Sequence, residues 1–442
     1  MHFSDLEGSS VGVWGAGREI RSFASQLERR LPSAQITVIA FDSQPANSEV
    51  ETIAEDARVV VGDGVVEELG KCDVIVRSPG VSIHRPEIEK LRDLDIPIAT
   101  ATGLWLAERG GRGVIGITGT KGKSTTAALA HHLALTSGRT TALAGNIGVP
   151  ALDLLDREPV DLVFLELSSY QIADLATGPE LAVITNLYRE HLNWHLTEQA
   201  YREEKLRLFS LPGVGAAVVN ARQPELVEAA SGVEQVVLYG EPSGWDCDQR
   251  GILHAGELEA EVADLPLRGR HNALNLCAAL AALEVAGIKP PLPASLADFA
   301  SLPHRLQSCG EHGGVLWVDD SISTTPESTL AALEAFADRD VVLLGGGQDR
   351  GQDYRQLGAE LARRGAAIIG VPTTGERAVV AAREAGVAAE RAIVAEDLVD
   401  AVGVARSIAQ PGSVVLLSPA APSYDHFVNF EERGERFRAL VS

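Results

Sequence analysis

The sequence predicts an α/β protein built from three doubly wound, mostly parallel sheets. Three observations predict this: strand-length apolar runs alternate with helix-length amphipathic patterns, Gly-rich turns join strand to helix, and 442 residues exceed what one core organises. Hydrophobic residues make up 45% of the chain and charged residues 22%, the profile of a well-buried globular protein.

Residues 1–105 form the first predicted unit. A strand over Val11–Trp14 runs into the turn Gly15-Ala16-Gly17, a helix to about Arg30 and a second strand, Ile36–Phe41, ending at Asp42. Such a Rossmann-like start places glycines where a phosphate approaches a helix N-terminus and an acid where a ribose or base would lie. Strands at Val59–Val61 and Val74–Arg77 follow, the second leading into Ser78-Pro79-Gly80.

The second unit, 106–299, opens on an apolar strand, Gly113–Ile117, and is P-loop ATPase-like. Further strands lie near Leu162–Leu165, Leu181–Thr185 and Ala216–Val219, with helical patterns including Thr125–Leu135 and Ala273–Ala286. The Pro-rich stretch 289–293 loosens the chain before the third unit, 300–442. That unit is again Rossmann-like, with strands near Val341–Leu344, Ala367–Gly370 and Val414–Leu417.

Lys and Arg number 38 against 61 Asp and Glu, a net charge of −23 that repels polyphosphate backbones and anionic lipid. Nucleic acid and membrane partners are therefore not expected. The four cysteines have neither finger nor CxxC spacing and read as core thiols. The first residues carry no basic and apolar leader, and no run approaches the ~20 apolar residues of a membrane span, so a cytoplasmic monomer is the expectation.

An anionic ligand on so acidic a chain must be held by local features. Gly119-Thr120-Lys121-Gly122-Lys123-Ser124-Thr125, between a buried strand and a helix, is such a feature. Loop amides converge on phosphate oxygens, the Lys supplies charge for the outer phosphates, and a Ser or Thr hydroxyl can ligate Mg²⁺. The full eight-residue phosphate-loop pattern asks for Gly at Ile117, so the match is to the shorter GxxGKS form. Glu166 and His191 each follow an apolar strand, and strand ends in a parallel sheet meet at one edge, where a carboxylate and an imidazole can serve Mg²⁺.

Together, Gly119 to Ser124, Gly145-Asn146-Ile147-Gly148, Glu166-Leu167-Ser168-Ser169 and Asn186 to His191 resemble the central domain of the Mur ligase family. The resemblance continues through Tyr201 to Lys205, Gly269-Arg270-His271-Asn272 with Asn275, Leu302-Pro303-His304-Arg305, Asp320-Ser321 and Ser418 to Gly434. Within the family it is nearest to the ligases that add glutamate to UDP-N-acetylmuramoyl-L-alanine.

The resemblance implies an ATP-dependent ligation through an acyl phosphate, giving ADP and phosphate, in peptidoglycan precursor synthesis. Lys123 and the loop amides would hold the ATP phosphates, Ser124 and Glu166 one Mg²⁺, and His191 a second. Lys205 matches the family lysine that becomes a carbamate facing the second metal; by spacing alone it reads as an ordinary helix-surface lysine. Asn272 and Asn275 would lie near the adenine, Arg305 near the γ-phosphate and Asp320 near the nucleoside. Gly15, Ala16, Gly17 and Asp42 would take the UDP end, with Asn146, Ser168 and Phe430 also at the substrates.

Departures concentrate at the amino-acid pocket. The D-glutamate-adding ligases usually carry Asp-Ser-Lys-Ala-Thr-Asn where this chain has Asp320-Ser321-Ile322-Ser323-Thr324-Thr325. Asp-Lys-Gly becomes Asp349-Arg350-Gly351 and Cys-Ala-Ser becomes Ala421-Pro422-Ser423 followed by Tyr424, while around His191, outside that pocket, Glu190 and Asn193 stand where Asp is usual. Ser323, Thr324, Arg350, Ser423 and Tyr424 are therefore expected to bind glutamate in an altered pose, which favours L-glutamate, with D-glutamate the alternative. A reading of another class, a nicotinamide-dependent oxidoreductase, would explain Gly15 to Gly17 and Asp42 but leaves the phosphate loop idle.

Overall fold

The computed structural model describes residues 1–42, 50–188, 192–267, 269–300 and 302–441. Among these, the strands form three sheets. The first contains β1 (Ser10–Trp14), β2 (Gln35–Phe41), β3 (Arg58–Val61), β4 (Val74–Arg77) and β5 (Ile98–Ala99), in the order β3-β2-β1-β4-β5 and parallel throughout. The second runs from β6 (Val114–Thr118) through β7 (Thr141–Gly145), β8 (Leu162–Glu166), β9 (Leu181–Ile184), β10 (Ala216–Asn220) and β11 (Gln235–Tyr239). β12 (Trp245–Cys247), β13 (Gly251–His254) and β14 (Glu257–Glu261) extend it, giving the order β14-β13-β12-β11-β10-β9-β6-β8-β7.

The third sheet contains β15 (Gln307–His312), β16 (Val315–Asp319), β17 (Val341–Gly345), β18 (Ala367–Gly370), β19 (Ala392–Val394) and β20 (Val414–Leu417), ordered β15-β16-β20-β17-β18-β19. Only β15 within it is antiparallel to its neighbour. By packing, the chain divides into two compact units. One is Met1–Leu265 with His271–Phe299 and holds the first two sheets; the other is Pro266–Arg270 with Ala300–Ser442 and holds the third. The Pro-rich stretch 289–293 thus lies inside the first unit.

The parallel core strands are buried on both faces, which is why β6, β9, β17 and β20 read as continuous apolar runs without alternation. The helix Arg18–Arg30 is instead one-sided. Ile20, Phe23, Ala24 and Leu27 recur at helical spacing and are buried, and Arg29 and Arg30 complement the dipole in the last turn. The antiparallel hairpin β13–β14 was absent from the sequence expectation. Its turn uses Ala255 (φ 51°) and Gly256 (φ 86°), a left-handed pair for which Asn-Gly or Asp-Gly is the usual signal. Among the described residues no helix is long and apolar enough to cross a membrane.

The first two sheets meet at Arg77, the last residue of β4. Its guanidinium is fully buried, with Nε 2.7 Å from Asp174 Oδ2, Nη2 donating to the Tyr170 carbonyl at 2.9 Å, and Nη1 donating to the Val81 carbonyl at 2.8 Å. Trp194 lies beneath it, stacks on Tyr170 with ring centroids 4.5 Å apart, and donates to the Pro79 carbonyl at 3.1 Å. Arg77→Ala leaves Asp174 and these carbonyls without the guanidinium in a dry seam. Urea unfolding is expected to show a loss of about 3–5 kcal/mol; a loss below about 1 kcal/mol would mean that water replaces the guanidinium there.

Candidate active site

Strand order fixes where ligands can sit. In the first sheet the order reverses between β1 and β4, so a crevice opens at their carboxyl ends, between Gly15-Ala16-Gly17 and Ser78-Pro79-Gly80. Gly15 has φ 92°, and a side chain there would meet Ser78 Cβ at 2.9 Å, so the two turns can approach only with glycine at this position. Gly17 caps the following helix, and the Ala16 carbonyl accepts from Arg21 at 2.7 Å. Asp42, after β2, is exposed and accepts from Arg85 Nη1 at 2.7 Å and Trp14 Nε1 at 3.3 Å, and Arg85 lies over the Trp14 ring. Ser78, Arg85 and Trp14 thereby join the expected residues; Ser78-Pro79-Gly80 was visible as a turn, but its partners depend on β1–β4 pairing.

In the second sheet the loop after β6 is held from three sides. Gly122 is left-handed (φ 82°), and a Cβ on it would collide with Asn275 Oδ1, while one on Gly119 would collide with Thr185 Oγ1. Thr120 N and Lys121 N donate to Asn186 at 2.8 Å each, through its carbonyl and side-chain oxygens. Lys123 Nζ donates to the Thr120 carbonyl at 2.9 Å, and Ser124 and Thr125 are buried in the first turn of the helix Lys123–Thr136. A helix N-terminus behind a glycine loop suits a polyphosphate. Asn275 also donates to Asn272 Oδ1 at 3.3 Å, so the expected pair is adjacent and beside the loop.

Glu166 ends β8 fully buried. Its Oε1 accepts from Asn146 Nδ2 at 2.9 Å, and its Oε2 has no hydrogen-bond partner among the described residues. A bare buried carboxylate oxygen is costly, and a hard divalent cation would satisfy it. No set of three or more His, Cys, Asp or Glu among the described residues could hold a metal by itself, so phosphate and water oxygens would have to complete its shell. His191 lies outside the described residues. Ser168 is half-buried and forms a capping box with Gln171, its hydroxyl facing Gln171 N at 3.2 Å.

Lys205, on the helix Glu198–Leu206, departs from the surface position its local sequence suggested. It is 1% exposed, with Nζ 3.0 Å from the Gly119 carbonyl, 3.3 Å from Thr118 Oγ1 and over the Tyr201 ring. Tyr201 OH in turn lies 2.7 Å from Thr120 Oγ1. The helix face carrying Tyr201 and Lys205 therefore packs under the phosphate loop.

In the C-terminal unit, Asp320 follows β16. Expected beside a nucleoside, it is 2% exposed and accepts from Ser323 Oγ at 2.6 Å, Ser418 Oγ at 2.8 Å and Leu306 N at 3.1 Å, contacts that tie turns of the unit together. The reason is that β16 and β20 are neighbours, so the turns after both converge on one carboxylate. His304 pairs with buried Asp319 at 2.7 Å and lies edge-on to Phe430, and Arg305 beside it is half-buried. Thr324 is half-buried and Ser423 buried, whereas Arg350 and Tyr424 are exposed and face each other at 5.8 Å. Arg433, not singled out by sequence, is buried and donates to Ser321 Oγ, the Ser321 carbonyl and the Ala421 carbonyl at 2.8–3.1 Å. It binds the 320–324 turn to the 421–423 loop, and burial lowers its pKa to about 10.

Comparison with known proteins bears on what this geometry serves. The pattern described as Mur ligase MurD-like, N-terminal domain matches residues 12–100, that of the Mur ligase middle domain 117–283, and that of the Mur ligase, glutamate ligase domain 304–421. The UDP-N-acetylmuramoyl-L-alanine–L-glutamate ligase of Salinispora tropica is 40% identical over 451 residues, covering 100% of this chain and 99% of its own. The chain belongs to the Mur ligase family.

A ligase of the same description from Xanthomonas axonopodis pv. citri is 39% identical and covers 100% of this chain and 97% of its own. In fold, this Mur ligase resembles the solved MurF ligase of Thermotoga maritima in complex with ADP, with a TM-score of 0.61 at 18% identity over 100% of this chain and 96% of that one. The UDP-N-acetylmuramate-alanine ligase MurC of the same organism gives 0.60 at 17% over 97% and 98%. This Mur ligase is an ATP-dependent, amide-bond-forming enzyme. The oxidoreductase reading of its first glycine turn gives way to that membership.

Asp320 gives this Mur ligase a testable pH dependence. Burial pushes its carboxyl up to about 6, against hydrogen bonds from Ser323, Ser418 and Leu306 and the charge of Arg305. The folded state then holds a proton that the unfolded chain, with a carboxyl near about 3.9, has released, so stability is lost as pH rises from about 4 through about 6. Asp320→Asn cannot ionise. Unfolding free energies of the C-terminal unit at both ends of that window should shift in favour of the variant, by on the order of 1–3 kcal/mol at the upper end, and identical pH slopes would refute the assignment.

Proposed function

We propose that this Mur ligase joins L-glutamate to UDP-N-acetylmuramoyl-L-alanine through an acyl phosphate, in peptidoglycan precursor synthesis. On this reading residues 1–105 hold the UDP end, 106–299 the ATP and 300–442 the glutamate. The observation that carries it is the C-terminal pocket: Ile322 stands where the D-glutamate-adding ligases usually carry a lysine, while Arg350 and Tyr424 face each other beside buried Ser423. The Salinispora and Xanthomonas relatives, described as L-glutamate ligases along their full length, support the same choice.

ATP, when bound with Mg²⁺, supplies the phosphoryl group that makes the alanyl carboxylate an acylating agent. Gly119 to Ser124 would cradle the phosphates, Lys123 would offset their charge, and Ser124 and Glu166 would meet one Mg²⁺. His191 and Lys205 would serve a second. The Lys205 amine, once neutral, would add to the carbon of CO₂ and release a proton, turning a buried cation into an anion next to the phosphate loop. Its burial against the Gly119 carbonyl supports that position. Arg305 would approach the transferring phosphoryl group, and the amine of glutamate then attacks the acyl carbon with phosphate as leaving group. Arg350 offers a planar fork for a glutamate carboxylate, and Ser323, Thr324 and Ser423 would offer hydroxyls to it.

Lys205→Ala is expected to reduce ligation by about 10²–10³-fold, with partial recovery on adding short carboxylates such as acetate or formate. Full activity without additive would refute the carbamate. Initial rates with each enantiomer test the specificity. L-Glutamate should be favoured by at least about tenfold, because losing one charged partner of a carboxylate costs about 1.5–3 kcal/mol; a tenfold preference for D-glutamate would reverse the assignment while leaving the ligation itself intact.

A further inference from the structure

The helix Arg18–Arg30 begins directly after the Gly15-Ala16-Gly17 turn, and its first two side chains both leave the first sheet. Arg18 donates to three carbonyls of the loop after β7: Gly145 at 2.7 Å, Asn146 at 3.0 Å and Gly148 at 3.1 Å. Glu19 accepts from Gln171 Nε2 at 2.6 Å and Thr102 Oγ1 at 3.0 Å, beside the short helix after β8. These two loops flank Glu166.

We propose that Arg18 and Glu19 are positioning residues that couple occupation of the Gly15–Gly17 turn by the substrate's diphosphate to the placement of Asn146 and Glu166. The proposal rests on the reading that this turn takes the UDP end and that Glu166 meets Mg²⁺. A basic residue opening a helix works against the macrodipole, so helix stability does not account for Arg18. The carbonyl cluster does: a planar fork with five donors satisfies three acceptors at once, which a lysine ammonium on a flexible stem holds less firmly.

The receiving loop is stiff. Gly145 (φ 98°) and Gly148 (φ 69°) are left-handed, and side chains on them would strike the Glu166 and Leu143 carbonyls. Asn146 N donates to the Glu166 carbonyl at 3.0 Å and Asn146 Nδ2 to Glu166 Oε1 at 2.9 Å. One residue therefore separates the Arg18 guanidinium from the candidate metal carboxylate. On the other side, Gln171 Oε1 accepts from Ser168 N at 2.7 Å, so Glu19 steadies the chain two residues past Glu166. Burial raises the Glu19 pKa above the ordinary glutamate value.

The test uses the full-length enzyme and its Arg18→Ala and Arg18→Lys variants, with UDP-N-acetylmuramoyl-L-alanine as probe. Hydrogen exchange of peptides spanning 10–20 and 143–149 is read with and without the probe, alongside calorimetric affinity and steady-state rates. Wild type should gain protection in both peptides. Both variants should keep protection at 10–20 and an affinity within about threefold, yet lose it at 143–149, with kcat down about 10- to 100-fold. If Arg18→Ala does not fold, Arg18→Lys carries the comparison. Equal protection of 143–149 in wild type and variant would overturn the coupling, as would a rate loss that appears wholly as weaker probe binding, since Arg18 would then be a ligand of the diphosphate. Absence of protection at 10–20 in the wild type would overturn the UDP reading, and the coupling with it.

Discussion

The Arg77 guanidinium is the interaction on which the first compact unit depends. A fully buried cation is tolerated only when its donors are answered, and here a carboxylate and several carbonyls answer them from two different sheets. Because Arg77 is the last residue of β4, the same contacts fix the 78–81 turn that walls the crevice opposite Gly15–Gly17. Moving the second sheet relative to the first would strip those donors, so the crevice and the phosphate loop are held in one frame.

Within that frame, glycine sterics set the phosphate loop. Gly119 and Gly122 lie so close to Thr185 and Asn275 that no side chain fits, and the backbone can then turn sharply from β6 into the helix behind it. Lys205 and Tyr201 support the loop from below, and Asn146 holds one oxygen of Glu166 while leaving the other uncommitted among the described residues. A site whose charges are fixed before the ligand arrives does not have to reorganise during phosphoryl transfer.

The C-terminal unit applies the same logic with a carboxylate and a guanidinium. Asp320 draws together the turns after β16 and β20, and Arg433 ties one of those turns to the 421–423 loop from the last helix. Neither side chain is exposed. Arg350 and Tyr424 are instead exposed and face each other on adjoining loops, which meet where Gln348 N donates to the Pro422 carbonyl at 2.8 Å.

The sequence by itself determined the three-sheet architecture and the strand-to-helix turns, because continuous apolar runs and glycine punctuation are local signals: β4, β18 and β20 coincide with the runs that predict them. Gly119 to Ser124 was legible for the same reason. The β13–β14 hairpin was not, since its Ala-Gly turn carries a weak signal, and Lys205 looked like a surface lysine because Glu203-Glu204-Lys205 gives no hint of which face packs. Only the tertiary structure decided that Asp320 points inward, that Arg433 and Arg77 are buried ties, and that Arg18 reaches across to Gly145. These depend on which strands pair and which helix faces meet, and contacts between residues far apart in sequence, 93 for Arg77 and Tyr170 and 127 for Arg18 and Gly145, leave no periodicity in the chain that makes them.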